Sequence, residues 1–333
     1  VSTTARLPLF PVLLVPALAL AVAASLVLGS NDLGLATAVH VLLHDDGSEA
    51  ATIVRDVRLP RTVLGVLCGL ALGAAGALMQ GHTRNPLADP GLLGVNAGAA
   101  LAVALAANVL SVASPAGQVW FGFGGALLAT AVVFAIGSRG GTRVSPVPMA
   151  LAGAAVTALL STLTSLVVLA DAPTLDVYRR WVVGAIGGRD AGISLAILPF
   201  VAAGLVLAML NTRALNAVAL GEDAARGLGQ SVAAGRLTGL AAVTLLAGSA
   251  TAAAGPIAAL GLVVPHLVRP LTGPDHRRLV PCSALAGAVL LLAADVVGRL
   301  VGGAAEVPAG IVVAVLGGGA FVLIARRGRL VRL

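Results

Sequence analysis

Leu59-Pro60-Arg61-Thr62-Val63-Leu64-Gly65-Val66-Leu67-Cys68-Gly69-Leu70-Ala71-Leu72-Gly73-Ala74-Ala75-Gly76-Ala77-Leu78-Met79-Gln80 is the stretch whose reading decides the fold. Beyond Arg61 it carries no charge, and as a helix it is long enough to cross roughly 30 Å of hydrocarbon. Its many Gly and Ala residues suit membrane helices, where small side chains let backbones approach. Runs of the same kind recur along the chain, at roughly 7–29, 60–81, 92–110, 117–137, 147–170, 191–210, 234–253, 256–270, 279–298 and 307–325. Turn residues or charges separate them, among them Gly47, Pro115, Gly140, Pro173, Gly187, Gly221, Pro274 and Gly302.

Composition agrees. Apolar residues make up 58% of the chain, charged residues 11%, and the mean hydropathy is +1.01. Soluble domains carry about a quarter charged residues, so this chain lacks the polar surface to face water all round. The 42 glycines follow no Gly-X-Y period, and the chain is too apolar for disorder. The expectation is an all-α fold: a polytopic membrane protein of about ten transmembrane helices, with one membrane domain over 1–333. The run from Leu7 to Leu28 is longer than a signal-peptide core and is expected to be a retained first span.

Arginine placement gives the orientation. With these spans, fourteen arginines and four acids fall on one side, seven arginines and ten acids on the other. The arginine-rich side is expected to be cytoplasmic, with both termini there. The net charge of +7 thus reads as membrane orientation rather than nucleic-acid affinity. All 21 basic residues are arginine. A P-loop requires a lysine on the nucleotide phosphates, so ATP hydrolysis by that route is excluded for this chain. Cys68 and Cys282 lie within apolar runs and read as small buried hydrophobes, with neither disulfide nor zinc-ligand spacing.

Three local patterns go beyond a generic bundle. The first is Arg58-Leu59-Pro60-Arg61, then Met79-Gln80, then Asn85-Pro86-Leu87-Ala88-Asp89-Pro90-Gly91-Leu92-Leu93-Gly94. The second is Ala219-Leu220-Gly221-Glu222-Asp223-Ala224-Ala225-Arg226-Gly227-Leu228-Gly229, in the longest arginine-side loop, about 211–233. The third is Gly261-Leu262-Val263-Val264-Pro265-His266-Leu267-Val268-Arg269, with Asp275-His276-Arg277, Asp295, Arg299 and Glu306-Val307-Pro308-Ala309-Gly310. In this order and spacing the set resembles the FecCD-type (BtuC-like) permease family, the membrane subunits of ABC importers for ferric siderophores, haem and cobalamin.

The resemblance implies ten membrane helices and a multi-pass subunit of the bacterial cytoplasmic membrane, in contact with lipid. It implies a second permease subunit, identical or paralogous, two ABC ATPase subunits and an extracytoplasmic substrate-binding protein. It implies ATP and Mg²⁺ on the partner ATPase, and no cofactor or metal on this chain. Ferric siderophore is the expected cargo, with cobalamin or haem as the alternative.

By position in the family motifs, Arg58, Arg61 and Arg299 are implied to dock acidic lobes of the binding protein, since Arg pairs bidentately with carboxylates. Interfacial snorkelling is the alternative, and Arg299 has Asp295 nearby as an intrachain partner. Leu220, Gly221, Glu222, Asp223, Arg226 and Gly229 are implied to couple to the ATPase, the alternative being a solvated loop supported by the Glu222–Arg226 pair. Asn85, Leu87 and the turn residues Ser145, Pro146 and Val147 are implied to form a cytoplasmic gate. For Asn85-Pro86 a plain turn is the alternative. The two prolines Pro146 and Pro148 depart from the Ser/Thr-rich turn of relatives.

Other classes find less support. A secondary transporter would place coupling-ion ligands on broken mid-membrane helices, and no such set stands out. Ser249 and His266 lack a nucleophile elbow, Asp45-Asp46 lacks a second aspartate motif, and His82 and His266 read as interfacial histidines.

Overall fold

The structure, a computed structural model, describes residues 10–29, 33–138 and 146–326; Ser145 and both chain ends lie outside the described residues. In chain order the helices are α1 (Phe10–Val27), α2 (Leu35–Leu43), α3 (Glu49–Thr52), α4 (Leu59–Thr83), α5 (Val95–Leu110), α6 (Pro115–Gly137) and α7 (Pro146–Ala170). There follow α8 (Ala172–Val182), α9 (Ala191–Ala219), α10 (Glu222–Gly227), α11 (Val232–Ala254), α12 (Leu260–Thr272), α13 (His276–Gly302) and α14 (Ala309–Arg326). A π-helical turn, Ile53–Arg58, leads into α4, and 3₁₀ turns occupy Pro90–Leu93 and Gly303–Ala305. No strand occurs among the described residues.

Each of the ten expected spans coincides with a helix. Among the described residues seven helices are long and apolar enough to cross a membrane, while Val95–Leu110, Leu260–Thr272 and Ala309–Gly319 are shorter apolar helices. The most enclosed are α4 and α11; α1 and α7 are largely uncovered and present leucines outward, such as Leu20, Leu166 and Leu169. That is the pattern of a bundle solvated by hydrocarbon rather than water.

The 59–80 stretch, within α4, becomes the central post. Its glycines Gly65, Gly69 and Gly73 recur every four residues and lie along α13. A Cβ at Gly69 would stand 2.4 Å from the Ala288 Cα, and one at Gly73 2.1 Å from the Ser283 carbonyl oxygen. The two backbones are therefore in contact, which only glycine permits. We call the end of the bundle where α1 finishes and α4 begins the upper end, and the end carrying the 84–94 connection and α10 the lower end.

Three expectations change. The span at 256–270 is a half-helix: α12 has 13 residues, roughly 20 Å at 1.5 Å per residue. Its Gly261 lies against Gly76, well inside α4. The break before it is satisfied internally. The Ala185 N–H donates to the Ala254 carbonyl at 2.8 Å, and Gly184 packs against the Pro256 carbonyl, so irregular backbone at depth is buried in protein. Second, the sixth span does not end near 210; α9 continues to Ala219, burying Asn211 and Thr212. Third, Pro146 opens a helix rather than lying in a turn. Proline at the first helical position gives up only an N–H that is unpaired there anyway.

Candidate functional sites at the two ends of the bundle

At the upper end the structure brings Arg58, Arg61 and Arg299 together, but as buried groups with 5%, 7% and 3% exposure. The Arg58 Nη1 donates to the Leu26 and Val27 carbonyls at 2.8 and 2.7 Å. The Arg299 Nη1 donates to the Ser25 and Leu28 carbonyls at 3.0 and 2.9 Å. The last carbonyls of a helix have no partner within it and carry partial negative charge. Two arginines from α4's approach and from α13 supply those partners to α1.

Arg61 faces the other way. Its Nε and Nη2 hold the Asp295 carboxylate at 2.9 and 2.8 Å, and its Nη1 reaches the Glu306 carboxylate at 2.7 Å. The Arg299 Nε lies 3.3 Å from the same Asp295. Three arginines thus face two carboxylates, and the α1 C-terminus supplies the remaining negative potential. They border a cavity of about 160 Å³ with Gly29, Val57 and Glu306. Of the two acids Glu306 is the accessible one, at 38% side-chain exposure. Arg55 repeats the device on α2, donating to the Val41 and Leu42 carbonyls. The arginines open to solvent at this end are Arg179 and Arg180 on α8.

At the lower end, α10 forms a knob. Gly221, at φ +112°, turns the chain out of α9, and Gly229, at φ +77°, turns it back towards α11. Ala225 is buried against Ala217, Val218 and Val232. Leu220 and Leu228, on either side of the helix, are 71% and 63% exposed. Glu222 accepts from the Arg226 Nη2 at 3.1 Å and from the Arg236 Nη2, on α11, at 2.5 Å. Asp223 accepts from the Arg226 Nη1 at 2.7 Å. The sequence-expected Glu222–Arg226 pair is present, and a second arginine fastens the knob to the bundle.

Beside it lies the 84–94 connection. Arg84 ends α4 in the left-handed region at φ 49°, and its guanidinium donates to the Val218 carbonyl beneath α10. Asn85 starts a turn: its Oδ1 accepts from the Leu87 N–H at 2.9 Å and its carbonyl from the Ala88 N–H at 3.1 Å. Leu87 is 44% exposed. Asp89 accepts from the Gly91 N–H at 2.7 Å and caps the 3₁₀ turn. The Leu92 carbonyl packs on Gly153 of α7, where a Cβ would sit 1.8 Å away. The 84–94 connection therefore lies against α7 through Leu92, and Ser145 lies outside the described residues. A small cavity of about 40 Å³ lies beside this contact, walled by Met79, His82, Leu92, Leu93, Met149 and Arg236.

Two asparagines that the sequence reading passed over tie this end together. Asn211 on α9 bonds the His82 ring at 2.8 Å and donates to the Gly235 carbonyl at 2.6 Å, joining α4, α9 and α11. Asn216 donates to Asp275 at 2.6 Å and accepts from the His276 N–H at 2.9 Å, joining α9 to α13. Burial works against the Asp275 carboxylate, but the Arg277 N–H, Asn216 and nearby arginines hold it below the usual range. His266 is buried, and His82 is half-buried with its ring bonded to Asn211. The Ser249 hydroxyl donates to the Leu245 carbonyl of its own helix. An amide on the last turns of an apolar helix was the signal available for Asn211 and Asn216.

Comparison with known proteins gives the same answer from outside. The Escherichia coli ferric enterobactin transport system permease protein FepD is 46% identical over 285 residues, 85% of each chain. A probable siderophore transport system permease protein of Bacillus subtilis, YfiZ, is 39% identical over 92% of each chain. A solved structure described as an inward-facing conformation of a metal-chelate type ABC transporter superposes with a TM-score of 0.84 at 27% identity, covering 96% of this chain and 99% of that one. Residues 17–327 match the FecCD transport family, and the chain belongs to that family.

Proposed function

We propose that this chain is the transmembrane permease subunit of a bacterial ABC importer for ferric siderophores. The carrying observation is the α10 knob. On an otherwise apolar bundle, Leu220 and Leu228 stand bare on a polar segment that Glu222 and Arg236 hold in place. An exposed apolar pair on a rigid, charged base suits a groove on a soluble partner, here the ATPase that the chain itself does not carry. In this reading the lower end is cytoplasmic and each of two permease subunits meets one ATPase through residues 220–229. ATP and Mg²⁺ belong to the ATPase.

The upper end then receives the binding protein. Arg58, Arg61 and Arg299 serve docking by holding α1 and Glu306 in place around the mouth, not as free charges. The gate comprises Asn85, Leu87 and the approach to α7, Ser145 to Val147. Iron-siderophore cargo is supported by the names of the relatives.

Replacing Leu220→Asp together with Leu228→Asp tests the carrying observation. The permease should stay folded, because neither side chain is packed, and the co-expressed ATPase should no longer co-purify. An ATPase that stays bound to the double variant would refute the knob as its seat.

A further inference from the structure

Arg84 and Arg236 were singled out neither as gate nor as coupling residues, yet each spans the gap between the two. Arg236 sits in the first turns of α11. Its Nη2 holds the Glu222 carboxylate of the knob at 2.5 Å, while its side chain also walls the small cavity alongside Leu92, Leu93 and Met149. Arg84 closes α4 and immediately precedes Asn85. It donates to the Val218 carbonyl, which also accepts from the Gly221 N–H at 3.0 Å at the root of the knob. Arg236 thus ties the knob to one wall of the gate cavity, and Arg84 ties the start of the 84–94 connection to the α9 carbonyl from which the knob springs.

The ground beneath these ties is stiff. Asn211 locks the His82 ring to the Gly235 carbonyl, and that ring rests on Gly239, where a Cβ would fall 1.7 Å from its Nε2. The lower ends of α4, α9 and α11 therefore form one block at this level. Displacing α10 against that block strains the Glu222–Arg236 pair directly and, through Gly221 and the Val218 carbonyl, the Arg84 bond at the start of the gate connection. The Glu222–Arg236 pair is also better shielded than Glu222–Arg226, with Arg236 at 12% side-chain exposure against 42% for Arg226. A shielded pair retains its strength in salt, where an exposed one is screened.

We propose that Arg84 and Arg236 are the positioning residues that transmit movement of the α10 knob to the 84–94 gate connection. This rests on the reading of α10 as the ATPase seat. Both residues act through others. Arg236 shifts its own wall of the cavity it shares with Leu92 and Leu93, and Arg84, next in the chain to Asn85, moves the turn there. Coupling between two distant sites is typically about 5- to 150-fold.

The test uses the whole complex of permease and ATPase in lipid nanodiscs, with gate position read as the thiol-labelling rate at Leu87→Cys. Cys68 and Cys282 are buried, so labelling reports on position 87. In the parent, trapping the ATPase with ATP and vanadate should change that rate. Arg236→Gln and Arg84→Gln should each abolish the nucleotide-dependent change while the ATPase still co-purifies. The exchange Glu222→Arg with Arg236→Glu should restore it.

The proposal is overturned if labelling in either single variant responds to nucleotide as in the parent, or if the exchange fails to restore the response. It is also overturned if Arg236→Gln loses the ATPase, since the pair would then serve assembly. Failure of the underlying reading registers separately, as retention of the ATPase by Leu220→Asp with Leu228→Asp.

Discussion

Arg61 and Asp295, 234 residues apart in sequence, form a two-pronged ion pair at 2.8 and 2.9 Å with almost no solvent contact. Asp295 also lies 3.3 Å from the Arg299 Nε, so one carboxylate neutralises two guanidiniums where α4 crosses α13. Removing one member of a buried pair strands the other charge, typically at about 3–5 kcal/mol. Asp295→Ala should therefore lower stability by roughly that amount in thermal unfolding of the detergent-solubilised chain. Glu306→Gln, at the wetter end of the cluster, should cost clearly less. Equal losses would mean that the cluster is uniformly solvated.

The same burial separates fold from docking at the upper end. Arg58→Glu or Arg61→Glu should reduce the folded yield before any binding partner is present, because each places a carboxylate in an arginine's internal site. Arg179→Glu with Arg180→Glu, on exposed positions of α8, should leave the yield unchanged. If the upper face receives an acidic partner, this double variant weakens its binding at low salt. Full yield from Arg61→Glu would contradict the internal role.

Glycine positions make a paired prediction. At Gly73 a Cβ meets the Ser283 carbonyl oxygen at 2.1 Å, whereas at Gly124 on α6 it meets nothing within 4 Å. Gly73→Ala must push α4 off α13, an overpacking cost of at least about 1–3 kcal/mol. Gly124→Ala should be neutral or slightly stabilising. Melting temperatures of the two variants check this, and similar values would refute direct backbone contact between α4 and α13.

Asp275 gives a pH dependence. Its folded carboxylate is held below the ordinary value, so its contribution is present above the unfolded pKa of about 3.9. That contribution fades as pH falls through the depressed folded value. Asp275 caps α13 by accepting from the Arg277 N–H at 3.0 Å, and Asp275→Ala should cost about 1 kcal/mol at pH 7. The gap between parent and variant should hold down to about pH 5 and close below the unfolded value. A gap that stays constant to pH 3 would exclude the charge as its source.

The helices were legible because hydrocarbon demands long apolar runs, and that demand is written locally in the sequence. All ten runs proved helical. What escaped was set by contacts across the chain. Leu260–Thr272 reads as a short span, yet only the meeting of Gly261 with Gly76 shows that it starts inside the bundle. Residues 211–219 look like loop because Asn211, Thr212, Arg213 and Asn216 interrupt the apolar pattern, whereas two of the amides bind neighbouring helices. The Glu222–Arg226 pair was readable from its four-residue spacing, but its more buried rival Arg236 lies fourteen residues from Glu222. Arg58, Arg61 and Arg299 were recognised as a set. That they cap α1 and hold Asp295 depends on the path of the first helix, which no local pattern encodes.

If the bundle is a pathway for a ferric siderophore driven through residues 220–229, transport itself must depend on the knob. The most direct measurement reconstitutes the permease with its ATPase and binding protein in liposomes and follows radioiron-labelled ferric siderophore into the lumen. Uptake should require ATP on the ATPase side, and Leu220→Asp with Leu228→Asp should abolish it while the permease remains folded. Uptake of cobalamin or haem in place of the iron chelate, or uptake undiminished in the double variant, would contradict the account.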